Sequence, residues 1–154
     1  MKFTKLAIIS LLLWVVTITL FAWFFIHGTT TAGIDGRTAV VLQSGERDLI
    51  LSEMRGLLSA TQGILEGASQ GDMPRVAKAS RAAGMAAAAD VNPALMAKLP
   101  MGFKSLGMSV HHDMDEIAKA AESGKSAPEI LKMASNTLTK CVACHSAWRL
   151  NAQN

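Results

Sequence analysis

Residues 6–26 form an apolar run of 21 residues with no charged side chain, preceded by Lys2 and Lys5. As a helix rising ~1.5 Å per residue, the run is about 31 Å long, the thickness of a bilayer's hydrocarbon core. Trp14, Trp23 and Phe24 lie within it, and tryptophan marks membrane interfaces. A cleaved signal peptide is the competing reading. Thr30-Thr31-Ala32 offers only a weak cleavage signal, and the run exceeds the usual ~7–15 apolar residues of such a leader. The expectation is a retained single-pass anchor over residues 1–26. The positive-inside bias puts Lys2 and Lys5 in the cytoplasm and everything after Ile26 on the periplasmic side of the inner membrane.

Beyond the anchor the chain is nearly neutral, with 13 Lys+Arg against 12 Asp+Glu, both signs interspersed. A nucleic-acid partner is not expected of such a surface. The formal charge of +3 owes two charges to the anchor's flank, so it argues nothing about acidic partners.

Residues 27–37 are rich in Gly and Thr and read as a linker. Residues 38–154 read as an all-α domain of four helices. The first is expected over about 38–68, where Ile50, Met54, Leu57, Leu58, Thr61, Ile64 and Leu65 recur at helical spacing. The second covers about 72–89, with Asp72 as N-cap and Pro74 in the first turn. Its alanines leave room for something larger than a side chain. The third covers about 102–122, with Phe103, Leu106, Val110, Met114 and Ile117 as its stripe. The fourth starts near Ser126, with Glu129 at the capping-box position, and runs through Trp148. No stretch shows sustained β-alternation, so an antiparallel four-helix bundle is expected.

The only two cysteines lie on the fourth helix, in Cys141-Val142-Ala143-Cys144-His145. Cys141 and Cys144 share a helix face, and His145 is adjacent to it. A disulfide one turn long would close only a tiny loop. A redox-active pair wants a helix N-terminus to depress its thiolate, and this pair lies late in a helix. Two Cys and one His are too few for zinc. One covalent haem c needs this arrangement: two thiols for the vinyl groups and an adjacent histidine for iron.

Three pieces together resemble the cytochrome c-prime and cytochrome c-556 family. They are the haem motif followed by Ser-Ala-Trp-Arg, the third helix from Gly102-Phe103-Lys104 to Asp115, and Arg47 with Met54 on the first helix. The likeness runs from Arg37 to the end, and its sharp part is the motif. It implies a haem-carrying four-helix bundle with His145 as proximal iron ligand. The anchor departs from the usual soluble member.

The sixth iron position is left open. In the family's electron-transfer members a methionine of the first helix binds there; in five-coordinate members an apolar residue covers it. Met54 lies 13 residues before Gly67, about 20 Å of helix; Leu51 and Ile50 lie 16 and 17 before it, about 25 Å. Met54 as distal ligand, or Leu51 or Ile50 over a vacant face, are both compatible with this. Nine methionines in the chain also make Met54 a plausible core filler. His111 and His112 are further candidates, of which at most one points inward, since neighbours diverge by about 100° around a helix. His27 reads as an interfacial residue.

Arg149 is expected to meet a haem propionate or a first-helix carboxylate, and Trp148 the haem edge. Asp113, Asp115 and Glu116 read as a solvated face. Ser-Gly-Lys-Ser at 123–126 lacks the earlier glycine and preceding strand of a nucleotide loop.

The expected function is one-electron transfer, without catalysis, to or from a membrane oxidoreductase or a periplasmic electron-transfer protein. The alternatives are a five-coordinate haem protein binding NO or CO, and a structural subunit of a membrane redox complex. The resemblance also suggests a homodimer through the first two helices.

Overall fold

The computed structural model describes residues 4–89 and 91–153. The chain is mostly helical, with one small sheet. Helix α1 spans Lys5–His27, opened by Thr4, whose hydroxyl accepts from the Ala7 amide. None of it is buried against the rest of the protein, and its mean hydropathy reaches 2.4. It is long and apolar enough to cross a membrane, a character that a signal sequence shares. Lys2, read as a topology signal, lies outside the described residues.

The expected linker over 27–37 and the expected helix start at Thr38 give way to strands. Strand β1, Thr30–Ala32, pairs antiparallel with β2, Thr38–Gln43. The turn between them is Ile34-Asp35-Gly36, closed by the Gly33 amide on the Arg37 carbonyl at 2.8 Å, with Gly36 at φ +81°, where a residue without Cβ is favoured. Strand β2 pairs in parallel with β3, Trp148–Gln153, in the register Thr38↔Trp148 to Gln43↔Gln153. The domain is therefore not purely α-helical. Thr38, Val40 and Val41 are β-branched and favour a strand. Ala39, Val40 and Leu42 are all buried, so the central strand lacks the period-2 alternation of a half-exposed one.

Helix α2 spans Ser44–Gln70 and begins in a capping box between Gln43 and Glu46. It ends at Gly71, φ +71°. Helix α3 covers Met73–Arg81, with Asp72 accepting from the Arg75 amide at 3.0 Å. It stops eight residues before the expected end at 89, and a 3₁₀ turn, Met85–Ala88, follows. Two side chains hold this break. The Asp115 carboxylate accepts from the Met85 amide at 3.0 Å, and His111 Nδ1 binds the Ala83 carbonyl at 2.8 Å. Helix α4 is Pro93–Lys98, α5 is Met101–Glu122 and α6 is Ala127–Ala147. The Ser126–Glu129 capping box forms as expected. Trp148 leaves the helix and is extended, correcting its assignment to the helix.

Helix α2 packs on α3, α3 on α5, α5 on α6, and α6 returns to α2. Two apolar clusters result. One gathers Ala60, Ile64, Val76, Ala77, Ala83, Ile117, Ala121 and Ile130. The other gathers Val40, Leu42, Ile50, Leu95, Leu99 and Phe103, with Met54, Cys144 and Trp148 against it. The alanines of α3 belong to the first. A Cβ built at Gly63 would sit 2.7 Å from the Ala79 methyl, so small residues here let α2 and α3 approach closely, and Ala60, Gly63, Ala79 and Ala82 also line an open groove of about 810 Å³.

Candidate functional site

The last turns of α6 carry Cys141, Cys144 and His145 to the seam of the two clusters, Cys141 against the first and Cys144 against the second. The two thiols are half-buried and unlinked. Burial pushes both above their ordinary pKa, and Cys141 adds to the shift at Cys144. That is opposite to the depressed thiolate of a redox-active pair.

Two cavities meet at these residues, one of about 230 Å³ and one of about 100 Å³. Met54, Phe103, Cys144 and His145 line both, so the cavities are neighbouring halves of one slot. The larger half is polar at its mouth, with Arg37, Arg47 and Arg149, and also touches Leu51 and Trp148. The smaller half is mostly apolar, with Ile50, Leu57, Leu106, Val110 and Cys141, and meets Glu53, His111 and Lys140. Phe103 stands edge-on to Trp148, ring centres 6.3 Å apart. Burial raises the Glu53 carboxyl pKa, opposed by nearby His111.

The end of α6 is tied from an unexpected quarter. Arg37 donates from Nη1 to the carbonyls of His145 at 3.1 Å and Trp148 at 3.4 Å. The His145 carbonyl is among the last of the helix, which have no intrahelical partner, and Trp148 is the first residue of β3. Asp35 holds Arg37 in turn, accepting from Nη2 at 2.7 Å and Nε at 3.0 Å. The Arg37 hydrogen bond lowers the Asp35 carboxyl to about 2. Arg149 reaches the same carboxylate at 3.3 Å, so its carboxylate partner is in the β1–β2 turn rather than on the first long helix.

No protein-family model, curated protein or solved structure matches the chain.

The residues themselves therefore define the site. Of the sixth-position candidates, Met54 borders both halves of the slot, Leu51 the larger, and Ile50 and His111 the smaller. His111 is buried, with one ring nitrogen already engaged by Ala83. His112 is exposed on the other side of α5, as the divergence of adjacent residues requires. His27 stacks on Trp23 at 3.8 Å and lines neither cavity. Asp113 pairs with Lys140 at 2.6 Å.

The slot combines an apolar half, an arginine-lined half, two thiols and an imidazole. Asp35 and Arg37 were not foreseen as part of it, although Asp-Gly between Thr- and Val-rich runs is a hairpin signal.

Proposed function

We propose that this chain carries one haem c, held through Cys141 and Cys144, and transfers single electrons on the periplasmic side of the inner membrane. The observation that carries the reading is two free thiols and the His145 imidazole on the end of α6, opening on a slot that Met54 borders on both sides. In this reading α2, α3, α5 and α6 make the antiparallel four-helix bundle of the cytochrome c-prime kind.

The residues present fit the group. When bound, haem supplies a one-electron iron couple. His145 offers a ring nitrogen for the proximal position, and Arg37 steadies the backbone beneath it. Met54, which lines both halves, would offer a thioether as a second ligand. Phe103, Leu57 and Val110 keep water from the apolar half. Arg47 and Arg149 line the mouth, where guanidinium groups suit the propionate carboxylates. The partner is a membrane oxidoreductase or a periplasmic electron-transfer protein. Lys2 and Lys5 hold the N-terminus in the cytoplasm.

The test is haem staining of denatured protein, with optical spectra of both redox states. The parent stains, and Cys141→Ser combined with Cys144→Ser does not. Covalent haem surviving in the double variant sinks the assignment. Leu51 beside His145 in the larger cavity favours a second reading, a vacant iron face that binds NO or CO. A high-spin ferric spectrum in the parent selects it.

A further inference from the structure

The apolar helix is not hung from the helical domain by a tether. It ends at Gly28, φ +61°, where a Cβ would collide with the Lys98 carbonyl and lie 2.6 Å from the Pro100 nitrogen. The Thr29 amide donates to the Lys98 carbonyl at 2.7 Å, and the Val41 amide to the Thr29 carbonyl at 2.8 Å. The chain thus passes directly from α1 onto the α4–α5 corner and into the sheet. Lys98 itself pairs with Glu46 at 2.6 Å, fixing that corner to the start of α2.

Lys104 completes the joint. It is only 7% exposed, and its Nζ donates to the Phe25 carbonyl at 2.9 Å and lies 3.7 Å above the Phe25 ring. The carbonyls of a helix's last turn have no intrahelical partner, and a cation there complements the helix dipole. An ammonium aimed at one apolar helix's carbonyl is a built contact and not a surface accident. Burial lowers the Lys104 pKa.

This joint lies beside the slot. Phe103, the neighbour of Lys104, lines both cavities, and the α5 residues that border them run only from Phe103 to His111. From α6 they are the last residues, Lys140 to His145. The slot therefore occupies the half of the helical domain next to α1. The other apolar cluster runs from Val110 and Cys141 at the slot to Ala121 and Ile130 at the far end.

We propose that the joint of Gly28, Thr29, Lys98 and Lys104 is a rigid bracket, holding the slot beside the membrane at one orientation, and that the electron partner is an integral membrane protein. A slot that cannot swing serves a redox centre whose own height above the bilayer is fixed. The partner assignment rests on the haem reading; the bracket does not.

The full-length protein in lipid nanodiscs tests the bracket first. Hydrogen exchange at the Thr29 and Val41 amides is expected to be ~100-fold or more slower than in a free peptide. Six Gly and Ser residues inserted between His27 and Gly28 should part Phe25 from Lys104, and leave the Thr29 and Val41 protection and the thermal midpoint of the helical domain unchanged. Free exchange at both amides in the parent overturns the bracket, whether or not haem is present.

In oriented bilayers the parent's haem band should show linear dichroism, and the insertion variant's should not. The insertion should slow reduction by native membranes at least ~10-fold, while reduction by a soluble mediator is unchanged. Unchanged membrane reduction overturns the partner assignment. A parent without haem overturns the proposed function, and the exchange measurement still decides the bracket.

Discussion

Arg37 Nη1 donates to the backbone carbonyl of His145 at 3.1 Å, so a residue of the β1–β2 hairpin caps the helix that presents the imidazole. Their separation of 108 positions makes this a long-range tertiary contact. Arg37→Ala should fray the end of α6, seen as faster amide exchange at 145–148 and a broadened spectrum of the bound iron. Arg37→Lys keeps the charge but cannot hold the Asp35 fork and the carbonyl together, and should fall between parent and alanine variant. An alanine variant indistinguishable from the parent in both measurements rules out this role.

Asp35 gives the same contact a pH dependence. Its carboxyl is lowered from 3.8 to about 2, mainly by the Arg37 hydrogen bond. A depressed carboxyl contributes stability above its unfolded value and loses it as pH falls through the folded one. The parent should therefore lose stability relative to Asp35→Asn between about pH 4 and pH 2. Thermal midpoints of both proteins across that window check the sign. A difference that grows as pH falls would contradict the pairing.

Met54 is expected to set the spin state. Met54→Ala should turn a low-spin ferric spectrum high-spin and open the iron to carbon monoxide, while haem stays attached. Met54 is half-buried, so the stability loss should lie near the low end of the ~2–5 kcal/mol of a core methionine truncation. His111→Ala should instead leave the spectrum unchanged and destabilise the fold by about 1–3 kcal/mol, because it leaves the Ala83 carbonyl without its buried partner. A spectral change that follows His111 and not Met54 would move the ligand to α5.

The sheet is expected to be part of the stable fold. Leu42, at 1% exposure, packs with Ile50, Leu95 and Phe103 in the cluster against the slot. Leu42→Ala should cost roughly 2–5 kcal/mol in denaturant unfolding. A loss below ~0.5 kcal/mol would mean that the strand is peripheral.

Orientation in the membrane is checked by fusing a phosphatase after residue 154. Activity confined to the periplasm is expected, with α1 retained and resistant to salt extraction. Mature protein starting near Gly33 would identify α1 as a cleaved leader.

The elements legible in the chain are those whose signals are local. The apolar run, the Asp72 cap, the Ser126–Glu129 capping box and the i, i+3, i+4 placement of Cys141, Cys144 and His145 all depend on residues within one or two turns. Helix geometry alone requires that His111 and His112 not both turn inward; the tertiary structure decided that His111 is the buried one. Tertiary structure decided what depends on pairing across the chain. Thr38 meets Trp148 only because the intervening helices bring the two ends together, and a strand buried on both faces shows no alternation to read. The alanines of α3 have the same composition whatever they face; only the tertiary structure shows that Ala79 lies against Gly63 of α2. Glycine and threonine after residue 27 suit a linker or a hairpin equally, and the hydrogen bonds from Thr29 to Lys98 and from Lys104 to Phe25 are what turn that segment into a joint.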